Sequence, residues 1–293
     1  MLNTVTSELR MEMSMRYGDG IFADLGCAFL DRVDLSLTAP PRPRPWPLMI
    51  EKENKPSFGP KSFHGRYCSG IFTPTGNPFQ LRYSKMTHLP RVPQAVLRMD
   101  SERSQLTGAD LCLAARSLTG EPEEAAVARA EVTCDLYQNY DELDKHLVSR
   151  NTRRRKRWVN PTNGLRSHYF GGWKSERYVI FYEKPPELAP GVVRLEIRLK
   201  SRALRRLKIT HPDELVLLRR VDFTDLVSIS KLRLSTLVEG KWRRSFWRYF
   251  ADRQGLDEVA RTFPTYYPVP RKEFLRPTPL DAVIRRMQRR LVC

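Results

Sequence analysis

The chain has 293 residues, of which 51 are lysine or arginine and 33 are acidic, giving a net charge of +18 at pH 7. This excess predicts a polyanionic partner, most often nucleic acid, with an anionic membrane surface as the competing interpretation. No apolar run approaches the ~18–20 residues that a membrane span needs, and the N-terminus lacks the pattern of a signal peptide. The five cysteines are scattered without a CxxC pair, which favours a cytoplasmic protein without a zinc ribbon or a disulfide framework.

Three regions of different composition follow one another along the chain. Residues 1–60 are predicted to be an N-terminal segment with little regular secondary structure and a Pro-rich linker at 40–47, although residues 31–37 alternate like a short strand. Residues 61–208 have the pattern of an α+β domain. Residues 209–293 are predicted to form a helical, basic C-terminal region.

The first part of the α+β domain is predicted to contain short strands and two helices. In chain order these are hairpins within 61–93, a strand at 94–100, a helix at 107–118 with Thr107 as its N-cap, a strand at 129–135 and a helix near 140–148. The run 150–157 holds six cations and predicts a solvated loop, because such a run cannot pack in a core.

Three segments, 129–135, 177–184 and 193–200, alternate polar and apolar side chains as strands do. In the third, Glu196 and its basic neighbours point one way while Leu195 and Ile197 point the other. This pattern predicts an antiparallel sheet with one apolar face and one face of acids and bases. Such a face suits a polyanion, because cations hold phosphates and carboxylates hold a divalent metal. An ordinary sheet with one face in water is the alternative.

Beyond residue 201 the pattern becomes helical. The predicted helical segments are 202–207, 213–219, 224–237, an aromatic stripe at Trp242, Phe246 and Phe250, and a last amphipathic helix over 280–291. The predicted fold class is therefore α+β, with a mainly antiparallel sheet and flanking helices, followed by a helical C-terminal part.

Four stretches in this order resemble the replication initiators of rolling-circle plasmids and filamentous-type phages, particularly the trans-acting plasmid initiator family. They are RAEVTCD at 129–135, YFGGWKSERY at 169–178, FYEK at 181–184 and VRLEIRL at 193–199. The resemblance covers a quarter of the chain and implies that 61–208 is a catalytic domain. A His-hydrophobic-His metal motif, found in some rolling-circle initiators, is absent here, as it is in the trans-acting plasmid family.

The resemblance implies a nickase that acts on a single-stranded or hairpin DNA origin. A tyrosine in this family attacks one phosphodiester, forms a 5′-phosphotyrosyl link and frees a 3′-OH for the polymerase. The resemblance also implies Asp135 and Glu196 as metal ligands, with Glu131 as a third candidate. The expected cofactor is Mg²⁺ or Mn²⁺, because these ions prefer oxygen ligands. Strand 31–37 carries a similar acidic pattern, but the proline run after it favours Asp135.

The nucleophile is expected several tens of residues after the Glu196 strand, where Tyr249, Tyr266 and Tyr267 are the candidates. A tyrosine hydroxyl has a pKa of about 10 and needs activation by a metal or a base. The segment 241–249 mixes cations with aromatics, as a surface for single-stranded nucleic acid does. Packing of the same aromatics in a core is the alternative.

Basic side chains around these segments are expected to contact DNA. They are Arg153, Arg154, Arg155, Lys156, Arg157, Lys174, Arg177, Lys184, Arg194 and Arg198. A host helicase is a further candidate partner. Two other functions stay open: a non-enzymatic basic DNA-binding protein and, less favoured, an RNA-binding protein.

Overall fold

The computed structural model describes residues 28–37, 67–72, 79–84, 95–100, 108–119, 125–149, 155–189, 191–233, 239–267, 273–277 and 284–285. The strands are β1 (Ala28–Leu37), β2 (Tyr67–Phe72), β3 (Phe79–Ser84), β4 (Ala95–Asp100), β5 (Ala125–Leu136), β6 (Leu147–Ser149), β7 (Arg155–Val159), β8 (Arg166–Phe170), β9 (Arg177–Glu183), β10 (Val193–Lys200), β11 (Val227–Leu232) and β12 (Leu275–Pro277). The α-helices are α1 (Gly108–Thr119), α2 (Tyr140–His146), α3 (Ser201–Arg206), α4 (Lys241–Gln254) and α5 (Leu256–Tyr266), and 3-10 helices cover Pro212–Arg220 and Phe223–Asp225.

The described strands form two sheets. The larger has nine strands in the order β2-β3-β4-β1-β5-β10-β9-β8-β7, and every pairing in it is antiparallel. The smaller has three strands in the order β12-β11-β6. With helices flanking the large sheet and α4 and α5 towards the C-terminus, the α+β class predicted from the sequence is confirmed.

One face of the large sheet carries the main core. The predicted apolar positions of β10 are buried against their partners on β5, where Leu195 pairs with Cys134 and Ile197 with Val132. Helices α1 and α3 and the 3-10 helix Pro212–Arg220 pack their buried leucines and alanines on this face. Burial of each aliphatic side chain stabilises the folded state by about 1.5–3 kcal/mol. The apolar residues of each strand therefore face the core, and the alternating charged residues face the other side of the sheet.

Strand β1 lies near the centre of the sheet, between β4 and β5. It confirms the strand predicted at 31–37, but it falls within the segment 1–60, for which we expected little regular structure. The physical reason is burial: Val33, Leu35 and Leu37 are fully buried in the main core. A strand that pairs on both sides satisfies its backbone groups, which the local sequence does not reveal.

Two other predicted elements differ in the structure. Arg155, Lys156 and Arg157 belong to β7, which pairs with β8, and not to a loop. The side chains of Lys156 and Arg157 are exposed, so the strand can form without burying their charges. The predicted helix 224–237 is wrong over Val227–Leu232, which forms β11. Residues 227–230 are all buried between β6 and β12, and this pairing overrides the weak helical pattern.

The remaining C-terminal predictions are confirmed in part. Residues 202–207 largely form α3, and the segment 213–219 is helical but of 3-10 type. Of the predicted last helix over 280–291, only 284–285 is described; it is helical, and Ile284 is buried in the main core. The rest of that helix, the Pro-rich linker at 40–47 and Thr107 lie outside the described residues.

A second core lies between the small sheet and the helices α4 and α5. Its centre is Trp247, which contacts the rings of Phe250, Phe263 and Tyr267. Arg157 of β7 connects this unit to the large sheet: its guanidinium pairs with Asp144 at 3.0 Å and donates hydrogen bonds to the Gln254 carbonyl at the end of α4. The basic edge of the large sheet therefore lies next to the α4–α5 turn.

Gly255 alone joins α4 to α5, with φ 83° and ψ 156°, a conformation that is almost restricted to glycine. An added Cβ would also lie 2.9 Å from the Arg157 guanidinium. We expect Gly255→Ala to lower the free energy of unfolding by about 1–3 kcal/mol, measured by urea denaturation. Gly172→Ala is the control, because its Cβ would meet only the Ser175 hydroxyl at an ordinary 3.6 Å. Equal stability of the two variants would contradict the strain at Gly255.

Candidate active site on the polar face of the sheet

The predicted charged face is assembled by the pairing of β5 with β10. Arg194 lies opposite Asp135, Glu196 opposite Thr133, and Arg198 opposite Glu131. Residues directly opposite each other in an antiparallel pair project to the same face. The prediction that Asp135 and Glu196 lie on neighbouring strands and on one face of a sheet is confirmed.

A β-bulge in β1 adds an acidic side chain that sequence reasoning had set aside. The pairing with β5 runs from Leu30–Val132 directly to Arg32–Glu131, so that Asp31 is an extra residue in β1. A bulge locally interrupts the alternation and re-aims the inserted side chain. Asp31 is thereby brought to the face that carries Glu131 and Glu196.

Asp31, Glu131 and Glu196 form what we call the acidic triad. One carboxylate oxygen from each lies within 4.8 Å of the others, and all three side chains are buried. Oxygen ligands lie about 2.0–2.6 Å from Mg²⁺ or Ca²⁺, so two oxygens on one cation are at most about 5 Å apart. The spacing and the all-oxygen donor set fit a hard divalent cation such as Mg²⁺ or Mn²⁺.

Two arginines partly compensate the charge of the triad. Arg198 lies 2.7 Å from the Glu131 carboxylate and 2.5 Å from that of Glu196, and Arg129 also pairs with Glu131. Burial and, to a smaller extent, the charge of neighbouring Arg198 lower the pKa of Arg129 to about 10. The site therefore concentrates both signs of charge in a region with little water, where each interaction is stronger than at the surface.

Thr133 gives an independent indication that a polar ligand fits here. Its side chain is fully buried opposite Glu196, and its hydroxyl has no hydrogen-bond partner among the described residues. A buried hydroxyl without a partner costs free energy, and such groups commonly contact water or an ion. The residues present therefore fit a hydrated cation held by the acidic triad.

Asp135 has a different environment from the triad. It makes a two-point ion pair with Arg194, at 2.5 and 2.8 Å, and Lys184 lies 3.8 Å from the same carboxylate. The structure thus groups two of the three predicted metal ligands, Glu131 and Glu196, with Asp31. The metal-binding role of Asp135 stays a prediction, and its observed contacts are with cations.

Two tyrosines of β9 face the acidic triad. Tyr182 lies opposite Arg194, which hydrogen-bonds its hydroxyl, and Tyr178 lies opposite Arg198, whose guanidinium sits 5.4 Å from the ring centre. Burial raises the pKa of both hydroxyls, and the charge of Glu196 raises them further. Sequence reasoning missed Tyr182 as a site residue, although its position in the FYEK stretch, one strand away from Glu196, was a usable signal.

The three tyrosines predicted as nucleophiles lie in the second unit. Tyr249 is on α4, 61% exposed, with Arg253 5.9 Å from its ring centre. Tyr266 and Tyr267 are at the end of α5, and both rings contact Trp247. Their surroundings are aromatic and basic, and their catalytic role stays a prediction.

The predicted DNA-contacting cations fall into two groups. Arg194 and Arg198 pair with carboxylates inside the site, Lys184 lies at its edge, and Arg177 is half-buried at the start of β9. The exposed members are Lys156 and Arg157 on β7 and Lys174, which lies against the ring of Trp173. Arg155 begins β7, while Arg153 and Arg154 lie outside the described residues.

Comparison with solved structures gives a distant likeness. No protein family and no curated protein matches the chain. The solved structure of a rolling circle replication initiator protein from Geobacillus stearothermophilus is similar over 77% of this chain and 95% of that chain, with 13% identity and a TM-score of 0.40. A likeness this distant supports no conclusion about function. Among the described helices, none has the length and hydropathy that crossing a bilayer requires.

Proposed function

We propose that the chain nicks and rejoins one strand of DNA, with a tyrosine as nucleophile and a divalent metal held by the acidic triad. The observation that carries this proposal is the shared face: three clustered, buried carboxylates and Tyr182 lie on the same face of neighbouring strands. A net charge of +18 supports a polyanionic substrate. The resemblance of the four sequence stretches to rolling-circle initiators is consistent with the same chemistry.

The residues of the site have separable roles in this reaction. A bound Mg²⁺ or Mn²⁺ would polarise the phosphoryl oxygens and offset the charge of the attacked phosphate. The Tyr182 oxygen attacks phosphorus while its proton passes to solvent. The bond to the 3′ oxygen breaks, and this oxygen takes up a proton as the free 3′-OH. The 5′ phosphate stays bonded to the tyrosine, and reversal of these steps rejoins the strand.

The surroundings of Tyr182 make its phenolate harder to form than that of an ordinary tyrosine. Burial and the negative charge of Glu196 raise the pKa of its hydroxyl above the usual value. The acidic triad would hold the divalent cation close to Tyr182, and the positive charge of that cation would offset the carboxylates and favour the phenolate. Arg194 then stabilises the phenolate through its hydrogen bond, while Asp135 holds the guanidinium in place. Tyr249, Tyr266 and Tyr267 stay alternative nucleophiles, to be tested beside Tyr182.

The proposal is tested by trapping a covalent adduct. The full chain is incubated with a pool of radiolabelled single-stranded DNA hairpins of random loop sequence in Mn²⁺, denatured in SDS and separated by electrophoresis. We expect labelled protein that resists denaturation, is released by protease and is lost when EDTA replaces the metal. DNA that binds before denaturation without forming any adduct would favour a non-enzymatic DNA-binding protein, and selective binding of structured RNA would favour an RNA-binding one.

Binding to nonspecific DNA should weaken steeply with salt. If six to ten cations contact phosphates, the affinity should fall by about 10³–10⁵ between 50 and 200 mM salt. Replacing Arg153, Arg154 and Arg155 with glutamine should reduce the slope of log affinity against log salt, measured by fluorescence anisotropy, by about 0.7 for each lost contact to a single strand.

A matched control for this slope removes three other exposed cations. Arg205, Arg206 and Arg220 lie on the helices that cover the apolar face of the large sheet. Their replacement with glutamine changes the net charge equally but should leave the slope unchanged. Equal slopes in both triple variants would show that 153–155 does not contact DNA.

A further inference from the structure

A surface-open groove between α4 and α5 lies in the second unit, away from the polar face of the large sheet. We call it the aromatic groove; its aromatic lining is Trp242, Phe246, Phe250, Tyr266 and Tyr267, around a volume of about 470 Å³. Buried Trp247 supports these rings from below, because it packs between α4 and α5. The groove is therefore a surface feature with a rigid floor.

The exposed rings of the groove lie in an ordered arrangement. Phe246 and Phe250 are nearly parallel, with an interplanar angle of 6° and ring centres 6.2 Å apart. Phe246 is 52% exposed, and Trp242 and Tyr266 are about 70% exposed. Contiguous exposed apolar surface of this kind marks a binding site more often than it serves stability.

The charge around the groove selects the class of ligand. α4 carries five cations and one acidic residue in its 14 positions. Arg243 lies 5.4 Å from the centre of the Trp242 ring, so guanidinium and aromatic faces alternate at the rim. A ligand with flat apolar faces and regularly spaced negative charges matches both features, and unpaired bases on a phosphate backbone have this chemistry.

The groove is also connected to the basic edge of the large sheet. Arg157 of β7 donates to the Gln254 carbonyl at the end of α4, and its neighbours Lys156 and Trp158 are exposed. The basic strand β7 therefore lies next to the C-terminal end of α4, the helix that supplies three of the groove's aromatic rings.

We propose that the aromatic groove binds the unpaired bases of single-stranded DNA by stacking, as a site separate from the acidic triad. Binding here needs neither a divalent metal nor strand cleavage. The groove holds a strand whose bases are exposed and leaves duplex DNA, whose bases are already stacked, to the phosphate-binding cations. The groove thus makes the protein prefer single-stranded DNA, although its positive charge attracts any DNA.

The test measures binding of the full chain to fluorescein-labelled oligo(dT) in EDTA, where cleavage cannot occur. Trp242→Ala and Phe246→Ala should each weaken binding about 5- to 150-fold, the range found when one stacking partner is removed. The dependence of affinity on salt should not change, since no cation is lost. Circular dichroism and urea unfolding serve to check that both variants fold, which we expect because the two replaced side chains are exposed.

Two controls make the result specific. Trp173→Ala removes a tryptophan that is 71% exposed and lies in the β8–β9 turn, with Lys174 against its ring. Because Lys174 is itself an expected phosphate contact, a small loss of affinity is allowed, but it should be clearly smaller than in either groove variant. An abasic oligonucleotide of equal length keeps the phosphates, so the wild-type chain should bind it more weakly and Trp242→Ala should cause no additional loss.

Three outcomes would overturn the proposal. The first is unchanged oligo(dT) binding by both groove variants, which would leave the groove as a protein-docking surface. The second is an equal loss on abasic and normal oligonucleotides, which would assign the effect to phosphate contacts. The third is an equal loss in Trp173→Ala or with duplex DNA, which would show that stacking in the groove is not the cause. None of these outcomes depends on the nicking reaction, because all are measured without metal.

Discussion

Tyr182→Phe is expected to eliminate the covalent protein–DNA adduct while DNA binding stays within about twofold. The change deletes only the hydroxyl, and loss of a nucleophile lowers the rate on the order of 10⁶-fold. The ring remains between Arg194 and the core of the sheet, so the fold and the phosphate contacts should be retained. Adduct formation in Mn²⁺ is measured by electrophoresis after SDS, and binding by anisotropy in EDTA.

Four further phenylalanine variants locate the nucleophile. Tyr178→Phe is the matched control, because this tyrosine shares the strand, the face and the neighbouring Glu196 charge. Tyr249→Phe, Tyr266→Phe and Tyr267→Phe test the candidates that the sequence suggested. Loss of the adduct in one of these three alone would reassign the nucleophile and leave the reaction standing. Adducts in all five variants would refute a tyrosine mechanism at these sites.

The second large effect is expected on metal binding. Asp31→Asn and Glu196→Gln each remove one charge from the acidic triad at constant shape. Since altering even an outer partner of a metal ligand costs 10–100-fold in affinity, each variant should weaken Mn²⁺ binding by about 100-fold or more. Binding is measured by isothermal titration and by the rise in melting temperature that Mn²⁺ produces, because a ligand of the folded state stabilises it by about 2.7 kcal/mol at 100 times its Kd.

Asp135→Asn tests whether Asp135 binds the cation, as the sequence implied, or whether only the acidic triad does. If Asp135 serves to hold Arg194, the variant should bind Mn²⁺ with an affinity within a few-fold of the wild type, although the fold is less stable because the buried guanidinium loses its ion pair with Asp135. If Asp135 binds the cation, it should lose as much affinity as Glu196→Gln. Unchanged Mn²⁺ binding in Asp31→Asn and Glu196→Gln would contradict a metal at the triad.

The strands and the charged face of the sheet could be predicted because they follow from the order of polar and apolar residues within single segments. In β5, β9 and β10 successive side chains point to opposite faces, so a strict alternation shows which residues share a face before any partner strand is known. The alternation placed Glu131, Glu196 and Asp135 on the polar faces of their strands, whereas their role as metal ligands was implied only by the resemblance to rolling-circle initiators. The antiparallel order and the α+β class follow from the same alternation and from the short connections between strands.

The elements that were predicted wrongly depend on partners that are distant in sequence. Residues 227–232 have no strong strand pattern of their own and become a strand because β6 pairs with residues 227–229 and β12 pairs with residues 230–232. Arg155, Lys156 and Arg157 look like a loop, but they pair with β8, and the charges of Lys156 and Arg157 stay exposed. In both cases long-range backbone pairing outweighs local preference.

By itself, the sequence determined that this is a basic protein with an antiparallel sheet, and that one face of the sheet carries acids and bases. Only the tertiary structure decided which of these groups meet. Asp31 joins Glu131 and Glu196 because a bulge shifts the register of β1 against β5, nearly 100 residues later in the chain. Tyr182 comes to lie beside them because β9 pairs with β10. Periodicity is a property of one strand, whereas a site with three carboxylates and a hydroxyl is a property of the register between several strands, which no single segment encodes.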